Sequence, residues 1–243
     1  SVLANTNVDQ AVAGDITAGG TVDVEATTGG ITMADGAITD ATGNVQYKAG
    51  TDILLGSVQS DGGIRLEAVN DIRDNGDTDI DVQGTNLNPL LRNLQLVAGN
   101  DAGQAVATNS FGALDTDVRV LAGTATAGSV YLDNTNTLEV GNVAAIALGR
   151  INLDSTTTAI TGVALSGVSA DDHAKIQART GDLDVTQAIT ATNNDILLSA
   201  LAGEVDLDAG VTATAGNISV LANTNVDQAV AGDITAGGTV DVE

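Results

Sequence analysis

An apolar–polar–apolar triplet, introduced by Gly or Asn a residue or two earlier, returns along this chain at a pitch that few folds can accommodate. It reads Val22/Val24, Val45/Tyr47, Ile64/Leu66, Leu94/Leu96, Val118/Val120, Val130/Leu132, Ile151/Leu153, Ile176/Ala178, Ile196/Leu198, Ile218/Val220 and Val240/Val242. Alternation with a period of two marks a strand with one face buried. Most steps between triplets run from 19 to 25 residues, with one of 30 and one of 12. A step near 20 to 22 residues is one coil of a parallel β-helix, in which each coil lays short strands on the coil before it. The step of 12 predicts two strands of a single coil. Shorter strands are expected at Ile16, Ile53, Ile72, Ile80, Leu183 and Val205, so each coil should carry several strands and the cross-section should be prism-like. The fold class predicted is all-β: a parallel β-helix (solenoid).

A second regularity overlies the first. Ser1 to Glu25 recurs letter for letter as Ser219 to Glu243, an offset of 218 residues. Shared fold constraints preserve pattern and volume rather than identity at every position, so this identity points to duplication of a long unit. The spacing predicts one full unit over 1–218 and the start of the next over 219–243, with nine or ten coils per unit and coils continuous across the boundary. The chain opens on Ser1 and breaks off in an alternating stretch that the first copy continues into Ala26, so both ends are expected to lie within a longer run of units. At about 4.8 Å per coil a unit should be roughly 45 to 50 Å long.

Composition narrows the core and the partners. With one Phe, two Tyr, no Trp and no Cys in 243 residues, a thick aromatic core and a disulfide framework are both excluded. Val, Ile, Leu and Ala must fill a thin core, and 29 glycines with recurrent Asn and Asp supply the turns. A pair of immunoglobulin-like sandwiches would need core aromatics and proline-bearing connections, and this chain has a single Pro. Thirty-two acids against eight bases give a net charge of −24, which argues against nucleic acid as a partner. No apolar run approaches the ~18–20 residues that span a bilayer, so no membrane insertion is expected of this segment. The eight bases all fall between Lys48 and Arg179, so an array of units would alternate mixed-charge and acidic bands.

Phrases such as Gly216-Asn217-Ile218-Ser219-Val220-Leu221-Ala222, Gly63-Ile64-Arg65-Leu66-Glu67-Ala68 and Gly232-Asp233-Ile234-Thr235-Ala236 resemble the haemagglutinin-type repeats of large secreted bacterial adhesins, the filamentous-haemagglutinin class. The resemblance covers nearly the whole chain. It implies a right-handed parallel β-helix shaft, an extracellular or cell-surface location, and work in adhesion, cell–cell contact or biofilm matrix. The 218-residue identical period is longer and more homogeneous than the short degenerate repeats of that class. The partners expected are adjacent copies of the repeat, other fibres through lateral association, and surface carbohydrate.

Sites are sparse. The densest acidic cluster, Asp71, Asp74, Asp77, Asp79 and Asp81, is the candidate calcium site, since hard oxygen ligands suit Ca²⁺. Along one extended strand, carboxylates on the same face stand about 6.6–6.8 Å apart, whereas carboxylates on neighbouring coils stand about 4.8 Å apart and are better placed. The alternative for the cluster is a solvated acidic face. Asp71, Asp74 and Arg73 can be drawn as a lyase-like group, but paired acids are expected by chance in so acidic a chain, and no enzyme is predicted. His173, the one His, is read as a solvated loop residue. Two segments break the coil rhythm, Thr85 to Leu114 and Ser155 to Lys175; both are expected to project, and loops there are the candidates for binding carbohydrate or another cell. Asn44, Asn194, Asn217 and Asn223 are expected at turns, bonding coil to coil.

Overall fold

A computed structural model of the chain describes residues 1–75, 79–88, 91–104 and 112–243. The strands stack as a parallel β-solenoid of about ten turns over the 243 residues, whose two long columns are each ten strands deep. An early coil shows the plan: a five-residue strand, Val22–Ala26, then two short ones, Ile31–Met33 and Ile38–Ala41, which give three sides. The next coils repeat it in register, with Val24 beside Tyr47, Tyr47 beside Leu66 and Leu66 beside Leu96. Those four side chains point inward and are fully buried. Tyr47 is tolerated in so narrow a core because its hydroxyl bonds Thr39 Oγ1 at 2.6 Å and Gln10 Oε1 at 3.2 Å, and burial pushes its pKa up to about 12.

One corner is built from alanine throughout. Ala4, Ala26, Ala49, Ala68, Ala98, Ala125, Ala170, Ala191, Ala213 and Ala236 are successive register partners up the column. The chain turns immediately after each, and only a methyl group fits inside so tight a bend. Gly99, just beyond Ala98, shows the crowding: an added Cβ would stand 1.7 Å from the carbonyl oxygen of Val69.

The cross-section changes orientation halfway up. In the lower coils the two short sides are separated by a corner, as between Val8–Gln10 and Ile16–Ala18. At Val130–Asn134 that corner has vanished: Val130 bridges Ala102 on one side while Leu132 pairs with Leu114 on the other. The opposite side does the reverse. Val120–Ala125 is one strand, but the coil above it is split, Leu138–Val140 resting on its start and Val168–Ala170 on its end. From there the five-residue strands, Ala174–Ala178, Ile196–Ala200 and Ile218–Ala222, stack on the side where the lower coils carried their short ones. The step of 12 residues is this flattened coil of two long strands, as its length predicted.

Two triplets are corrected. Ile151/Leu153 is not a coil strand; it belongs to an insertion of two antiparallel pairs, Asn142–Val143 with Leu165–Ser166 and Ala147–Ile151 with Thr157–Thr161. Val118/Val120 is one residue out of phase: Leu121, not Val120, continues the inward column of Leu94. Val120 faces outward and is buried there with Ala122, Val143 and Ile146 in a second small core.

Candidate functional site

Outward side chains of a β-solenoid stack at the coil spacing, so each meets its neighbour on the coil above and below. On the long-strand side of the lower coils the outward column is Asp23, Gln46, Arg65, Gln95 and Ala122, and all five are buried. They are covered by the insertion, which folds down along the shaft. Gln95 Nε2 donates to the carbonyls of Val143 at 3.2 Å and Val163 at 3.0 Å; one step down, Arg65 lies against Gly162. Asn44 Nδ2 donates to Ala147 O at 2.8 Å, Arg150 Nε to Asp23 Oδ2 at 2.7 Å, and the Ile151 N–H to Ser1 Oγ at 3.0 Å. The insertion is therefore a strap reaching the lowest coil rather than a projection. It comprises Asn142 to Ser166, where the sequence suggested Ser155 to Lys175. It lies across the outward face of the lower coils, where its backbone carbonyls accept from the ladder's outward side chains.

Charge under the strap is matched. Arg65 donates to Gln95 Oε1 and to Glu67 Oε2, each at 2.7 Å, Lys48 pairs with Glu67 at 3.2 Å, and Arg150 adds Glu25 to Asp23. Burial alone would raise the Glu67 carboxyl, but the bonds and charges of Arg65 and Lys48 outweigh it and hold the group below its ordinary range. A groove runs between strap and shaft, lined by Glu25, Lys48, Glu67, Arg150 and Ile160.

A second polar array stitches one corner from coil to coil. Side-chain acceptors on Asp52, Asp71, Asp101, Ser129, His173, Asp195 and Asn217 each take the backbone N–H of the equivalent residue one coil on, at 2.7 to 3.3 Å, ending at Thr239. The expected asparagine ladder is thus a mixed one. Asn217 stands in it, Asn44 does the same for Gly63 N at another corner, and Asn194 instead bonds the Asp172 carboxylate. His173 is half-buried in this array, its ring 6.3 Å from that of Tyr131, rather than free in a loop.

The upper coils treat charge differently. Glu139, Asp184, Asp206 and Asp227 are successive register partners on one outward column, and the first two share Arg119. Higher on this column no basic side chain pairs with the acids among the described residues: one carboxylate oxygen each from Glu204, Asp206 and Asp227 lies within 4.8 Å of the others. Burial, then Asp184 and Asp227, raise the Asp206 pKa, and Glu204 is raised chiefly by Asp206. The donor set is of the hard-oxygen kind that suits Ca²⁺.

The acids expected to bind calcium lie elsewhere, on the lower coils. Asp71 is buried, pairs with Arg73, and accepts the Asp101 N–H at 3.0 Å. Asp74 ends the strand Ile72–Asp74, Asp79 is exposed in the following connection, and Asp77 lies outside the described residues. Asp81 is buried before the next side begins and accepts the Asp115 N–H at 2.8 Å. Pro89 and Phe111 of the other irregular segment also lie outside the described residues. The triad of Glu204, Asp206 and Asp227 was legible in principle, since Asp182-x-Asp184, Glu204-x-Asp206 and Asp227 recur at one coil's spacing. No family model, no curated protein and no solved structure matches the chain.

Proposed function

We propose that this chain is one unit, 1–218, and the start of the next, 219–243, of a long repetitive fibre outside the cell or at its surface, where it serves as a rigid acidic shaft. The resemblance to filamentous-haemagglutinin-like adhesins supports a right-handed shaft and a role in adhesion, cell–cell contact or biofilm matrix. The observation that carries the reading is a repeated register. Val2 pairs with Val24 at the bottom of the solenoid, and their copies Val220 and Val242 pair in the same way at the top. The upper copy is also seated from below, Ile218–Ala222 on Ile196–Ala200 and Val226–Gln228 on Val205–Leu207. The same letters therefore accept a coil on either side, and further units add without a linker, their stabilities summing over neighbouring coils.

Eight full turns and part of a ninth separate Val2–Ala4 from Ile218–Ala222, so each copy starts on the opposite side of the shaft from the last. At about 4.8 Å per turn a unit advances roughly 40 Å, and straps emerge on alternate sides with a two-unit repeat of roughly 80 Å. Electron microscopy of chains of two, four and six units tests this. Unbroken rods that lengthen by that step are expected; beads joined by gaps would overturn the shaft. A second reading, binding of carbohydrate in the groove beside the strap, is favoured by the paired charges lining it. Glycan binding that survives removal of the strap would reject it.

A further inference from the structure

The tip of the strap is apolar where it has no reason within its own unit to be so. Ile151 is 57% exposed and Leu153 is fully exposed, on a turn closed by the Asn152 N–H to Thr156 O at 2.9 Å. The strap descends coil by coil, from Gln95 through Asn44 and Asp23 to Ser1 on the lowest coil, where Ile151 bonds. Leu153 follows two residues further on, fully exposed in the turn at the tip, beyond the strap's last bond to the lowest coil.

What lies below that coil in a run of units can be read from the upper copy. Ser219 repeats Ser1, and its register partner on the coil beneath is Leu197, followed further down by Lys175 and Tyr131. Leu197 is a half-buried leucine on an outward position of Ile196–Ala200, where outward neighbours are otherwise polar. We propose that the strap is a clasp between units: Leu153 and Ile151 of one unit pack on Leu197 and the alkyl stem of Lys175 of the unit before it. This rests on the shaft reading, because the occupant of the tip is the preceding copy of the same chain. The clasp locks the joint by covering apolar surface on both sides of it. Because successive units start on opposite sides, successive clasps alternate too.

The chain has no cysteine, which makes the test clean. In a chain of two consecutive units, Leu153→Cys in the second and Leu197→Cys in the first are treated with a short bis-maleimide. A second chain carries Asp206→Cys and Asp227→Cys, register partners that report coil stacking across the boundary alone. Both pairs should link within the chain, the tip pair at least about ten-fold above a control with one cysteine, as tethering at high effective concentration dictates. If the stacking pair links and the tip pair does not, the clasp is wrong and the shaft stands. If neither links, the shaft fails and takes the clasp with it. Links from Leu153→Cys between separate chains would make the tip a lateral contact and also overturn the clasp.

Discussion

The lower strapped side and the upper bare stack are built on one coil plan, yet they handle charge in opposite ways. Below, Asp23, Glu25 and Glu67 lie among Arg65, Lys48 and Arg150, and Asp23 and Arg65 are buried under the strap. Above, Asp184, Asp206 and Asp227 stack on one another, and among the described residues no basic side chain but Arg119 pairs with them. The difference teaches that the solenoid's geometry is indifferent to the outward column, provided the inward one is apolar. Charge is free to do other work: holding a strap in one band, and repelling or recruiting cations in the other.

The largest effect expected is at the strap. Asp23 is 1% exposed and takes two bonds from Arg150, at 2.7 and 3.1 Å. Arg150→Ala leaves a buried carboxylate without its cation, which costs about 3 kcal/mol unless the strap lifts and lets water in. Either route should raise hydrogen exchange over Ala147–Ile151 and Thr157–Thr161 while leaving Ile196–Ala200 protected. Equal loss of protection in both regions would show that the strap and the upper stack are not separate in the way the charge pattern implies.

How much of this was legible follows from one physical fact, that alternation reports a strand only when a single face is buried. Ile196–Ala200 meets that condition at its start, and Val22–Ala26 is legible because its outward Asp23, though buried under the strap, is still polar. Val120, Leu121 and Ala122 are buried in succession, because the strap covers the outer face as the core covers the inner, and the phase there slipped by one. Ile151 and Leu153 misled for a related reason: an antiparallel hairpin alternates with the same period as a coil strand. The alanine corner escaped notice because its members are joined by stacking, not by sequence proximity. For the same reason the run from Asp71 to Asp81 is visible along the sequence, whereas the upper triad is assembled across coils.

That lesson sets a sharper question for calcium. If the upper triad binds Ca²⁺ at about 1 mM, then 10 mM ion should stabilise the solenoid by about 1.4 kcal/mol. Asp206→Asn should abolish most of that gain, and Asp74→Asn with Asp79→Asn should leave it intact. The reverse pattern would return the site to the lower acidic cluster. No shift in the thermal midpoint with any of the three chains would remove calcium from both regions.

The smallest effect distinguishes the two regions by sign. The Asp206 pKa is raised by burial and by its acidic neighbours, so its ionised form destabilises the folded chain. Stability from this group is complete below the unfolded carboxylate range and is lost as pH rises through the folded value. Glu67 is lowered by Arg65 and Lys48 against the opposing effect of burial, so its contribution is present above the unfolded range and lost as pH falls through the folded value. Asp206→Asn should therefore stabilise the chain at neutral pH, by only a few tenths of a kcal/mol because solvent screens a partly exposed site. The gain should vanish in acid, where Asp206 itself is protonated. Glu67→Gln should do the opposite, costing stability at neutral pH and little in acid. Urea midpoints of the two variants at pH 7 and in acid give the comparison directly, and shifts of the same sign at pH 7 would mean that the matched and unmatched columns do not differ in the way their geometry requires.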